Sequence, residues 1–157
     1  MITTFYIPTK IIFGTGAFKQ LGTLAGETGS RALVVTGKHS VRASGLLDKT
    51  LSALERAGVE AVVFDRIEPN PRSTTVDAGA SLVKEKGLDL VIAVGGGSAM
   101  DAAKGIIISA AGGKPIWHYV TTGETAKGKA AKLITVPTVA ASGSESNCGA
   151  VITNWET

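Results

Sequence analysis

Residues 91–105 read VIAVGGGSAMDAAKG. The apolar run Leu90, Val91, Ile92, Ala93, Val94 stops at three consecutive glycines, and an alanine-rich stretch with helical propensity begins at Ser98. This is the order of a strand, a tight turn and a helix. Gly95, Gly96 and Gly97 lack a Cβ, so the backbone can take positive φ there and bring its N–H groups close to a ligand. Ser98 is placed to cap the helix, whose unpaired N–H groups and positive dipole end make an anion site suited to a pyrophosphate. Asp101 and Lys104, three residues apart, share a helix face, from which Lys104 reaches a phosphate or pairs with Asp101. A plain glycine turn closing a buried strand is the simpler alternative. Three glycines in a strand-to-helix setting suit a phosphate loop better, although the run is neither a Walker loop ending in GK[ST] nor a G-x-G-x-x-G fingerprint.

Working outward, residues 3–7 and 10–13 are β-prone runs around Pro8 that predict a small N-terminal β-hairpin, closed off by the turn Gly14, Thr15, Gly16. Phe18, Leu21, Leu24 and Ala25 fall at near-helical spacing, with Gly29 marking the end. Residues 31–36 (RALVVT) read as the first strand of the main sheet. After Gly37, Lys38, His39 and Ser40, a helix over about 44–57 is expected to bury Leu47, Leu51 and Leu54 before Gly58 ends it. Residues 59–64 form the second strand. Glu68, Pro69, Asn70 and Pro71 fix a loop, after which Ser73 or Thr74 caps a helix running to about Glu85. Beyond the helix that follows the glycines, Gly112 and Gly113 break the pattern, residues 117–122 are weakly β-like, and a basic loop leads to a last strand over 133–136 ended by Pro137.

Strands alternating with helices at this spacing predict one α/β domain over residues 1–157, a Rossmann-like parallel sheet with helices on both faces. Ligands of such sheets sit at the carboxyl ends of the strands, and Gly37, Asn70, Gly95–Gly97 and Thr138 all follow strand ends. The net charge of +3 is scattered without a basic run, which argues against nucleic-acid binding and is compatible with an anionic cofactor. Cys148 is the one cysteine, no leader precedes the chain, and no apolar run approaches a membrane span, so an intracellular, cytoplasmic protein off the membrane is expected.

Two segments carry a family resemblance. GGGSAMDAAK at 95–104 resembles the GGGS-x-x-D-x-A-K signature of the iron-containing (group III) alcohol dehydrogenases, and ITVPTVAASGSESN at 134–147 is similar to their IPTTAGTGSE stretch. The likeness runs from PTKIIFGTGA through VVTGKHS and EPNP to NCGAVITN. It implies a nicotinamide dinucleotide, NAD or NADP, whose pyrophosphate lies on Gly96, Gly97, Ser98 and Asp101 beside Gly95, with Asn70 and Thr138 near the cofactor. Val139 stands where the family has a second Thr, and Ser142 offers a replacement hydroxyl for its Gly-Thr pair. Glu145 and Asn147 read equally as lining of the site or as capping groups. Gly37 occupies a position where NAD-preferring members often carry an Asp. Its absence removes a repulsion on a 2′-phosphate, which Lys38, His39 and Ser40 could bind, so NADP is slightly favoured over NAD, with a plain surface turn as the nearly equal alternative reading of these residues.

The resemblance further implies hydride transfer between an alcohol or aldehyde and the nicotinamide, with Fe2+ or Zn2+ held by one Asp and three His of a helical domain that follows. At 157 residues the chain is small for both lobes, its only histidines are His39 and His118, and neither is spaced as a ligand, so it is expected to supply the cofactor half and to be inactive alone. The stretch SGSESNCGAVITN over 142–154 resembles the alcohol dehydrogenase branch more, near members acting on butanol-like alcohols. Alternatives are a relative like glycerol dehydrogenase or dehydroquinate synthase, or a non-catalytic nucleotide-binding module. The hairpin residues Phe5, Ile7, Ile11 and Ile12 are a candidate homodimer-forming strand pair.

Overall fold

Four apolar runs pair side by side as β1 (Arg31–Gly37), β2 (Glu60–Ile67), β3 (Leu90–Gly95) and β4 (Lys132–Pro137), all parallel, in the order β2-β1-β3-β4. The computed structural model describes residues 2–4, 6–140 and 143–155. Val34 pairs with Val63 on one side and Ile92 on the other, and Ile92 with Ile134 beyond it. β3 is buried along its whole length, which is why it reads as an unbroken apolar run and not as an alternating one.

The helices divide cleanly between the faces. Ala32, Val34, Leu90, Ile92 and Val94 pack with Leu21 and Ala25 of α1 (Leu21–Thr28), Val41 of α2 (Ser40–Ala43) and Leu47 and Leu54 of α3 (Leu46–Arg56). Leu33, Val35, Val91 and Ala93, the alternate residues of the same strands, pack with α4 (Ser73–Glu85), α5 (Gly97–Gly112) and α6 (Ile116–Thr122). After β1 the chain turns to the first face. After β3 it turns to the second. The two central strands therefore release their loops in opposite directions and leave a crevice between their carboxyl ends.

Several expectations are corrected. Among the described residues no strand precedes β1, and the predicted hairpin is absent. Phe5 lies outside the described residues. Ile2, Tyr6, Ile11 and Phe13 are exposed, Pro8 lacks a ladder donor, and strand propensity without a covered face to pack on is weak. Residues 117–122 are helical. Pro115 and Gly123, the latter left-handed at φ 67°, bracket that helix, and burial of Ile116 and Tyr119 four-square against the second face overrides their β preference. The helix expected over 44–57 is the single helix α3, entered through Gly45 at φ 70°, and the sequence reading does not anticipate the short α2 before it. Helix α4 starts at Ser73 and α5 at Gly97, so neither Ser73 nor Ser98 is the cap; Arg72 and Gly96 hold those positions.

Candidate functional site

The crevice is built from backbone first. Val35 pairs with Ala93 and Val94 with Val136, so Gly37, Gly95 and Thr138 leave adjacent strands at one level of the sheet. Gly95 takes φ 151°, in the region that favours glycine, and its Cβ would lie 3.0 Å from that of Ala99. Gly96 does not share this conformation. At φ −86° and ψ −168° it is extended, and its lack of a Cβ matters because that atom would sit 3.2 Å from Val139 Cγ2. The carbonyl of Gly96 accepts from the N–H groups of Ala99 and Met100, while those of Gly97 and Ser98, at the start of α5, have no intrahelical acceptor.

Two other strand ends are drawn onto this turn. Asn70 sits in the left-handed region at φ 56°, which Asn tolerates better than most residues, and its backbone N–H donates to Ser98 Oγ at 3.3 Å. The Thr138 N–H donates to the Gly95 carbonyl at 3.0 Å. Gly37 pairs with Ile67 across a register shift, and Lys38, His39 and Ser40 are exposed beside it. The arrangement offers free helix-start N–H groups and a hydroxyl where the strands end. That is the chemistry of an anion cradle.

Asp101 and Lys104 pair with each other, the second of the two outcomes their spacing allows, and both turn to the segment over 143–151. Both side chains are largely buried, with their charged atoms 3.9 Å apart. Asp101 accepts from the Ser144 hydroxyl at 2.6 Å and the Val151 N–H at 3.0 Å, through different oxygens. Lys104 Nζ donates to Ser144 Oγ at 2.8 Å, Asn147 Oδ1 at 3.2 Å and the Gly149 carbonyl at 2.6 Å. Burial pushes the Lys104 pKa down, against the opposing pull of Asp101, Cys148 and Glu145. Asn147 is the hub of its own turn, donating to the Gly143 carbonyl at 3.0 Å and accepting from the Gly149 N–H at 2.9 Å. Ser142 lies outside the described residues.

The sequence reading missed how residues 150–155 run on from this turn. Thr153 bridges to Arg72 beside the Asn70 loop, exchanging backbone bonds of 2.9 Å with Pro71 and Ser73, and the Arg72 guanidinium stands 4.4 Å over the Trp155 ring. No local signal announces this lacing. On the opposite side, a cleft of about 1040 Å³ opens between residues 8–18 and β4, with Lys104, Ser144, Glu145 and Asn147 on its wall. One carboxylate oxygen of Glu145 and one of Glu68 are buried without a hydrogen-bond partner. His118 and Lys114 share Glu124 at 2.7 and 2.8 Å. Among the described residues no group of three or more His, Cys, Asp or Glu is placed to hold a metal ion.

A parallel sheet with a glycine cradle at its switch point is the architecture of a nucleotide-binding dehydrogenase domain. The model of one family, iron-containing alcohol dehydrogenase, matches residues 8–157, and the chain belongs to that family. It is 40% identical over 154 residues to the NADH-dependent butanol dehydrogenase B of Clostridium acetobutylicum, covering 96% of this chain and 38% of that protein. It is 38% identical over 156 residues to an NADPH-dependent aldehyde reductase of Escherichia coli, covering 97% and 39%. The solved structure of the NADH-dependent butanol dehydrogenase A of Thermotoga maritima matches with a TM-score of 0.92 at 31% identity, covering 99% of this chain and 39% of that one. An archaeal alcohol dehydrogenase from a Red Sea brine pool matches with a TM-score of 0.91 at 38% identity, covering 100% and 41%. The chain thus spans about 40% of the length of the curated relatives it matches.

Proposed function

We propose that residues 1–157 form the dinucleotide-binding half of an iron-containing alcohol dehydrogenase that transfers hydride between a small alcohol or aldehyde and NAD or NADP. The observation that carries this reading is the meeting of Gly95–Gly97, Ser98, Asn70 and Thr138 at the carboxyl edge of a parallel sheet, where a helix start presents unpaired N–H groups. Gly96, Gly97 and Ser98 would hold the pyrophosphate, with Gly37, Lys38 and Ser40 toward the adenosine. A metal in the whole protein would polarise the substrate oxygen as a Lewis acid. Residues elsewhere in the whole protein would supply its ligands. The exposed Ile2, Tyr6, Ile11 and Phe13 favour a homodimer, and the exposed, unpaired Cys148 thiol fits the reducing cytoplasm. Among the described residues no helix is long and apolar enough to cross a membrane.

The cofactor reading is tested by calorimetric titration with NADH and NADPH. With no carboxylate at position 37, NADPH is expected to bind at least as well as NADH. A Cβ at Gly37 would lie an ordinary 3.5 Å from the Ile67 carbonyl, so Gly37→Asp fits the fold. It should weaken NADPH about tenfold relative to NADH, about 1.4 kcal/mol. An unchanged ratio would remove the adenosine assignment of this turn, and no binding of either nucleotide would remove the cofactor reading.

A further inference from the structure

We propose that Asp101 and Lys104 are positioning residues, a buried tie that fixes the turn over 143–151 against α5 and so sets the wall facing the nicotinamide half of the cofactor. The proposal rests on the cofactor reading above.

Donor and acceptor counts leave little choice. An ammonium has three N–H donors, and Ser144 Oγ, Asn147 Oδ1 and the Gly149 carbonyl are three acceptors at 2.8, 3.2 and 2.6 Å. None remains for a phosphate. The Ser144 hydroxyl has one proton, given to Asp101 at 2.6 Å, so the direction of the chain is fixed: Lys104 to Ser144 to Asp101. The second Asp101 oxygen takes the Val151 N–H. A carboxylate so engaged is no donor to an anion, and every partner of the pair lies on one segment. Ser144 is 2% exposed, so breaking the relay leaves buried polar groups unpaired.

The strand order tells which part of a dinucleotide the segment serves. Gly37 ends β1, the glycine turn ends β3 and Thr138 ends β4, in that spatial sequence. A dinucleotide with its pyrophosphate on the turn and its adenosine toward Gly37 lays its nicotinamide over the end of β4. The segment leaving β4 is held at Thr138 by the Gly95 carbonyl and again from Ser144 to Val151 by the tie. Val139, over Gly96, lies between those two anchors.

ADP carries the adenosine and pyrophosphate only, so it separates this role from a phosphate contact. In Lys104→Met the affinity for ADP should stay within twofold while that for NADH falls tenfold or more. Backbone amides over 143–151 should lose protection from hydrogen exchange in the same variant. Ser144→Ala, which keeps both charges and removes only the relay, should show the same split at smaller size and covers the case in which Lys104→Met fails to fold. Equal losses for ADP and NADH would make Lys104 a phosphate ligand and overturn the proposal. So would unchanged NADH binding with unchanged exchange. A wild-type chain that binds neither nucleotide would overturn the cofactor reading and this proposal together, whereas ADP binding without the split overturns this proposal alone.

Discussion

Gly95 and Gly96 look interchangeable in the sequence, yet they do different work. Gly95 is there for its backbone angle, with φ 151°. Gly96 is there for the space, since a Cβ would press on Val139 at 3.2 Å while its extended angles are open to any residue. Gly96→Val should therefore leave a folded chain, with circular dichroism unchanged, and reduce NADH affinity at least tenfold by filling the approach to the helix-start N–H groups. A folded variant with undiminished affinity would show that the ligand does not approach this backbone. Asp101 and Lys104 make the same point about side chains. Their three-residue spacing places them on one face, but spacing is silent about which of two partners, a phosphate or the turn over 143–149, takes the lysine's protons.

At the scale of elements, the starts of β1 and β3 are joined by Asp89. Its carboxylate accepts from the backbone N–H groups of Ser30 and Arg31 at 2.9–3.1 Å and from the Ser30 hydroxyl at 3.0 Å. Burial opposes the charge, yet the Arg31 and Ser30 N–H groups and the hydroxyl outweigh it and hold the pKa below the ordinary Asp range. A carboxylate whose pKa is lowered on folding adds stability above its unfolded pKa, and that contribution is lost as pH falls through the folded value. Asp89→Asn should accordingly lower stability near pH 7 by about 1 kcal/mol, since hydrogen bonds to an exposed charge sit at the low end of their range. The gap between wild type and variant in thermal melts should shrink between about pH 7 and a pH below the ordinary Asp range, where the carboxylate becomes protonated. A gap of equal size at both pH values would mean that the charge is not what joins the strands. Helix α6 shows the opposite balance of local and distant forces. Its Trp, Tyr, Val and Thr favour strand, but Asp77 on α4 accepts the Ile116 N–H at 2.7 Å and the Ser109 hydroxyl at 3.0 Å, and fixes a helix start there.

For the whole molecule, the expectation is cofactor binding without turnover. His39 and His118 are the only histidines, and the described residues gather no metal-holding cluster, so the chain supplied with NAD, an alcohol and iron or zinc should reduce no cofactor at a measurable rate. Absorbance of reduced nicotinamide is the readout. Turnover near one per second, from material confirmed by mass to be residues 1–157, would place the catalytic groups within this chain. The sequence by itself determined the four sheet strands and their parallel sheet, the helices between the first three of them, and the glycine turn, because β-branched runs, helical spacing and consecutive glycines act over a few residues. It also carried the family, through GGGSAMDAAK and the stretch over 134–147. Tertiary structure alone decided that residues 6–16 form no hairpin, that residues 116–122 are helical, that Asp101 and Lys104 turn to Ser144, and that residues 151–155 lace across to Arg72. The first reflects the lack of a face to pack on, and the other three depend on which donors and acceptors meet across separations of about 40 to 80 residues. Periodicity carries no record of such meetings, since a polar group's partner is set by the packing that removes it from water.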